Sequence, residues 1–384
     1  MNFLPDYSKR VYGLDVFRAI AITLVVHAHG SFMLKESPLE KFPWIRLIDG
    51  VDLFFVLSGF LIGGILLRMV QENHFVLSWR QVLIFWKRRW FRTLPNYYLI
   101  LVVNIIFVST GIINGRIDQF SYKFFFFIQN FHEPFYGFFW ESWSLTIEEW
   151  FYIILPLLLV LILKLVPSKK GILFVLILMI IFPLAYRIIN SAPEMNSFWW
   201  DVTFRKVVLM RLDTIMYGVL AAYFKFYHNA FFQKFARSSF FLGMIIIIAT
   251  AYYPNQSNDF FTKTFFFNCN SIGAMLLLPY ADSIKNFKTN FGKLFTHISL
   301  ISYSMYLVNL GLVASVITKQ FPVLNAADGL VKYTVYFAIV LVSSTLLYFF
   351  FEKPMLGLRD KTFFGNKQMK KPIKETLFHK KEGS

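Results

Sequence analysis

Residues 149–166 read EWFYIILPLLLVLILKLV, and residues 171–190 read GILFVLILMIIFPLAYRIIN. Each is a nearly unbroken apolar run close to the roughly 20 residues that a helix needs to cross the hydrocarbon of a bilayer. Lipid is the solvent that tolerates such a surface. Working outward from this pair, comparable segments lie near 14–33, 50–70, 94–113, 207–227, 238–254, 265–281, 297–318 and 330–351. The eighth of the ten, 265–281, is the most interrupted, because Asn268, Asn270 and Ser271 fall inside it. The expected fold class is therefore an all-α integral membrane protein, a bundle of about ten transmembrane helices.

Composition agrees. The 384 residues are 57% hydrophobic and 20% aromatic, with 48 Phe, and only 16% are charged. A soluble domain carries about 25% charge. The single cysteine, Cys269, excludes an internal disulfide framework and any metal site built from several thiolates. No metal is expected. A formal net charge of +17 in a soluble chain would point to nucleic acid. Here no basic, aromatic-interleaved soluble domain exists to bind it, and Lys and Arg are expected to face anionic membrane lipid. The start of the chain is polar (Asn2, Asp6, Ser8, Lys9, Arg10), so no cleavable signal peptide is expected.

Lys/Arg bias sets the expected sidedness. With the N-terminus inside, the inward loops collect Arg80, Lys87, Arg88, Arg89 and Arg92, then Lys164, Lys169 and Lys170, then Lys225, Lys234 and Arg237. Both termini are then cytoplasmic. Residues 1–352 form the membrane domain, and residues 353–384 form a basic tail, partly disordered. Ser121–Trp143 mixes many aromatics with Asn130, His132, Glu133 and Gly137. It is too polar to span and reads as an interfacial or re-entrant element on the outer side. An aromatic belt and a sugar-stacking lid both remain open for it.

Charges inside spans are costly and mark function by default. The first span holds Asp15, Arg18, His27 and His29. At 100° per residue, Arg18 and His29 return to within about 20° of one direction, roughly 16 Å apart along the axis. His27 faces elsewhere. His29 is the candidate general base, since imidazole titrates near neutral pH. Asp52, at the same expected depth, is its candidate partner, in the manner of a triad carboxylate. Asp49 has a plainer reading, a charge complementing the helix start. Arg88, Arg89 and Arg92 form a basic cluster suited to phosphates, or simply an anchor at the inner surface. Glu148, expected at the outer start of the fourth span, is a candidate for acceptor binding, with N-terminal capping as its alternative. Arg211 and Asp213 are expected to face a cavity or to compensate each other.

Taken in order, these pieces resemble the acyltransferase-3 family of membrane proteins. The carriers are Leu14-Asp15-x-x-Arg18 with Arg18-x10-His29, Val51–Ile62 (VDLFFVLSGFLI), Arg89-x-x-Arg92 followed by Pro95, Trp143-Ser-Leu-x-x-Glu148, Ile301–Leu307 (ISYSMYL) and Phe351-Glu-Lys-Pro354. Two departures stand out: Ala19 where the family often has Gly, and Asn309 where it often has His. The second throws weight on His29, because Asn309 can hydrogen-bond but cannot titrate. The resemblance implies transfer of an acyl group, most often acetyl, from acyl-CoA to a hydroxyl of a cell-envelope or secreted glycan, such as lipopolysaccharide O-antigen or exopolysaccharide. The implied setting is a bacterial cytoplasmic (inner) membrane. It also implies acetyl-CoA as donor, held by Arg88, Arg89 and Arg92, with His29 as base or acyl carrier and Arg18, Asp52 and Glu148 beside it. The rival class is a transporter or flippase of a lipid-linked sugar.

Overall fold

A computed structural model describes residues 10–35, 37–41, 49–254, 257–286 and 290–364. Among these residues there are helices and turns and no strand. The principal helices are α1 (Tyr12–Gly30), α2 (Gly50–Glu72), α3 (Trp79–Ser109), α4 (Ser142–Leu165), α5 (Lys169–Ile189), α6 (Val208–Tyr227), α7 (Ala236–Ala251), α8 (Phe266–Ser283), α9 (Asn290–Val308) and α10 (Ala326–Leu347). Every one of the ten segments expected from hydropathy is thus helical. Seven are long and apolar enough to cross a bilayer, or eight if the bent pair Ser197–Arg205 and Val208–Tyr227, which meet at 59°, is one span. The count of ten does not follow from length and apolarity: α7 has 16 residues, and α8 carries Asn268 and Asn270.

The outward surface fits a lipid solvent. On α5, Phe174, Ile177, Ile181 and Phe182 are all exposed, which in water would make an unusually large apolar patch. Inside the bundle the closest seam is between α2 and α6. A Cβ added to Gly59 would lie 1.9 Å from the Ile215 carbonyl oxygen, and one added to Gly218 would lie 1.9 Å from that of Val56. The two helices touch backbone to backbone, as small residues allow in membrane bundles.

Polar residues within spans find partners across helices, as a low-dielectric interior requires. Arg187 of α5 donates to Asp213 of α6 at 2.6 Å and to Asn268 of α8 at 2.7 Å. Arg211 is fully buried and donates to Asp52 of α2. The expectation that Arg211 and Asp213 compensate each other is therefore corrected. Two positions apart on a helix they point about 200° apart, and each takes its partner from a different neighbour.

The aromatic stretch before α4 is irregular apart from a 3-10 turn at Tyr122–Phe124, and it is packed. Phe124, Phe135, Phe138 and Phe139 are buried, and Tyr97 and Trp150 donate to the carbonyls of Phe124 and Phe127 at 2.9 and 2.7 Å. Irregular backbone at membrane depth is tolerated when protein covers it in this way. At the other end of the chain, Lys353–Phe364 continues as helix past the expected domain boundary. The rest of the basic tail, 365–384, lies outside the described residues, as do residues 1–9.

Candidate active site

The end of α1 opens into a cavity of about 760 Å³. One wall is α1 itself, with Val25, His27 and His29; a second is the start of α2, with Asp49 and Asp52. The far side is made by Trp200, Asp201, Arg205, Phe267 and Asn270. Thus His29 and Asp52 line one cavity. Arg18 does not line it.

His29 is held in one orientation. Its Nδ1 lies 2.5 Å from Asn309 Oδ1. The Asn309 amide is fixed in turn, because its Nδ2 donates to the carbonyls of Met305 and Tyr306 at 2.9 and 2.7 Å. Oδ1 can only accept, so the proton of a neutral imidazole sits on Nδ1. Nε2 then carries a lone pair, and it makes no hydrogen bond among the described residues. Such a nitrogen at a cavity wall can take a proton from a hydroxyl or attack an acyl carbon. His27, expected to face elsewhere, also lines the cavity, with its Nδ1 2.6 Å from the Tyr333 hydroxyl.

The partner expected for His29 was Asp52. That pairing is corrected: the Asp52 carboxylate goes to Arg211, and Asn309 takes the imidazole. A buried guanidinium on the facing helix is the stronger claim on a buried carboxylate. Asp49 accepts from the Val51 amide at 2.9 Å, the helix-start role read from the sequence, and also pairs with Arg205 at 2.6 Å. Burial would raise the Asp49 carboxyl, but Arg205 outweighs burial and holds it below the usual carboxylate range. Arg205 bonds Asp201 as well, at 2.9 Å, and Lys206 meets Asp201 at 2.5 Å. Asp49, Asp52 and Asp201 of the cavity wall are therefore each paired with a fixed cation.

The second constellation lies deeper along α1. Arg18 has no hydrogen bond among the described residues; the charges acting on it are Arg92, Arg10, Asp15 and Glu148. Asp15 is engaged by Arg10 at 2.7 Å and Ser299 at 2.8 Å. Glu148 is not at the expected helix start but is the seventh residue of its helix, since α4 begins at Ser142. It belongs with Arg18 and Arg92, accepts from Tyr152 at 3.3 Å, and lies apart from the His29 cavity. Nor do the hydroxyls near it cap the helix: Ser144 meets Tyr306 at 2.6 Å and Thr146 accepts from Gln129 at 2.6 Å. Arg88, Arg89 and Arg92 share α3, with Arg92 exposed and the other two half-buried. No group of three or more metal-ligating side chains occurs among the described residues.

Asp201, Arg205 and Lys206 were missed by the sequence reading. Their signal was an i,i+4 acid–arginine pair and a Lys/Arg cluster on a loop expected to face outward, where such residues are scarce.

Comparison with known proteins supplies the frame. The acyltransferase-3 family, described as an acyltransferase domain, matches residues 11–350. The chain is 35% identical over 193 residues to the peptidoglycan O-acetyltransferase OatA of Listeria monocytogenes, covering 46% of this chain and 29% of that protein. It is 27% identical over 381 residues to a Staphylococcus aureus (strain COL) protein provisionally named an O-acetyltransferase, covering 91% of this chain and 58% of that protein. The chain thus spans less than two thirds of the length of either relative. No solved structure matches. With its ordered motifs and the family match over 340 of its residues, the chain belongs to the acyltransferase-3 family.

Proposed function

We propose that this chain is a membrane O-acyltransferase that moves an acetyl group from acetyl-CoA to a hydroxyl of a cell-envelope glycan. The observation that carries the reading is the His29 imidazole, whose Nδ1 is engaged by Asn309 while Nε2 is left with a lone pair at a cavity wall. The Listeria relative is named for peptidoglycan, so peptidoglycan joins O-antigen and exopolysaccharide as an acceptor to test.

In this reading the donor's phosphates meet Arg88, Arg89 and Arg92 on α3, with Arg18 further in. Guanidinium forks suit phosphate oxygens. The flexible pantetheine arm reaches toward the His29 end, roughly 16 Å further along α1. Nε2 takes the proton of the sugar hydroxyl as its oxygen attacks the thioester carbon. The new C–O bond forms, the C–S bond breaks, and the proton passes to the departing thiolate. Asp49, Asp52 and Arg205 shape the acceptor end, and Glu148 acts at the donor end beside Arg92. The bundle sits in the bacterial cytoplasmic membrane with both termini inside, as the Lys/Arg bias favours.

The test uses the purified protein in lipid with radiolabelled acetyl-CoA and a cell-envelope glycan. The expected result is alkali-labile label on the glycan and free CoA in equal amount. Glycan crossing vesicles with no CoA released would replace this reading with a transporter.

A further inference from the structure

Glu141 stands at the N-cap position of α4, yet its side chain does not cap that helix. It is 1% exposed. Its Oε1 instead reaches across the bundle and accepts the Gly311 amide at 2.9 Å, while Oε2 is buried with no hydrogen-bond partner among the described residues. The Glu141 backbone carbonyl accepts the Tyr306 hydroxyl at 2.9 Å. One residue thus grips the chain three positions before Asn309 and two positions after it.

The gripped segment is irregular. α9 passes at Asn309 into a π-helical turn, Asn309–Ala314. Such turns loosen the regular amide ladder and recur at functional sites. A Cβ at position 311 would stand 2.5 Å from Glu141 Oε1, so glycine is what permits the approach. Burying a carboxylate with one oxygen unpartnered is costly, and an ordinary helix end would not require it.

We propose that Glu141 is a positioning residue for the reaction: it fixes the register of the π-helical turn, and through it holds Asn309 Oδ1 against His29 Nδ1. The proposal rests on the reading of His29 as the base. What matters is the acceptor oxygen facing Gly311. A glutamine keeps that oxygen, and an alanine removes it.

The experiment measures kcat and both KM values for acetyl transfer by full-length Glu141→Gln, Glu141→Ala and Gly311→Ala in lipid, alongside His29→Ala. Glu141→Ala should lower kcat about ten-fold or more, the usual scale for a residue that orients an imidazole, with both KM values unchanged. Glu141→Gln should restore kcat to near the parent value, as expected if the acceptor oxygen and not the charge is what counts. Gly311→Ala, which displaces the carboxylate while keeping it, should reproduce the kcat loss and carries the test if Glu141→Ala does not fold. Full kcat in Glu141→Ala or Gly311→Ala, or a Glu141→Gln as slow as alanine, overturns the proposal. Activity in His29→Ala would instead overturn the base on which it stands.

Discussion

The two ends of α1 hold their charge in opposite ways. Around the His29 cavity the three aspartates are matched: Asp49 and Asp201 share Arg205, and Asp52 has Arg211. Around Arg18 the balance is different. Its acids are partly engaged elsewhere, Asp15 by Arg10 and Glu148 by Tyr152, and Arg92 adds a second positive charge. A neutralised cavity suits an uncharged sugar and a neutral imidazole. A cluster with unspent guanidinium donors suits an anion, and phosphate is the anion that a CoA donor brings. Under the proposed function, the contrast puts acceptor and donor at different depths of one helix.

The comparison can be broken most sharply at His29. His29→Ala should lower acetyl transfer about 10²- to 10⁴-fold, the range of a lost general base, while equilibrium binding of CoA is unchanged; a rate within two-fold of the parent would end the catalytic assignment. Next comes the wall. Asp52→Ala leaves Arg211 buried without its carboxylate and should destabilise the fold by about 3–5 kcal/mol, read as a lowered midpoint in thermal unfolding. Joint replacement Asp52→Leu with Arg211→Met should recover most of it. At the deeper cluster, Arg18→Ala with Arg92→Ala should raise the donor KM about ten- to a hundred-fold, the worth of one or two charge-assisted hydrogen bonds, and leave the acceptor KM alone. An unchanged donor KM would reduce that cluster to a membrane anchor. The smallest effect belongs to His27, whose bond is to a neutral tyrosine: His27→Ala should slow transfer by no more than about ten-fold.

Much of this was legible in the chain, and the failures have physical causes. Helix positions followed from apolar length, because backbone groups in lipid have no other way to be satisfied. The cavity role of His29 followed from its depth on α1. Partners did not follow, because helical geometry fixes where a side chain points on its own helix but not which neighbour stands there. Asp52 reads as the partner of His29 because the sequence does not show that α6 packs against α2 with Arg211 turned inward. Glu148 reads as part of the helix start because Ser144 and Thr146 look like caps. In the structure those hydroxyls are spent on Tyr306 and Gln129, and the helix starts earlier. Asn309 was visible as a departure from the family pattern, and its place beside the imidazole gives that departure a function in orientation rather than proton transfer.

The glycine seam of α2 and α6 has a mechanical consequence. With Gly59 and Gly218 seated on each other's backbones, the two helices cannot roll or slide without collision, so they behave as one stiff plate. That plate carries Asp52 and Arg211. Under the proposed function, any widening that admits a glycan falls to the walls outside that plate, such as the end of α1, which runs into the turn at Ser31–Leu34 beside α10.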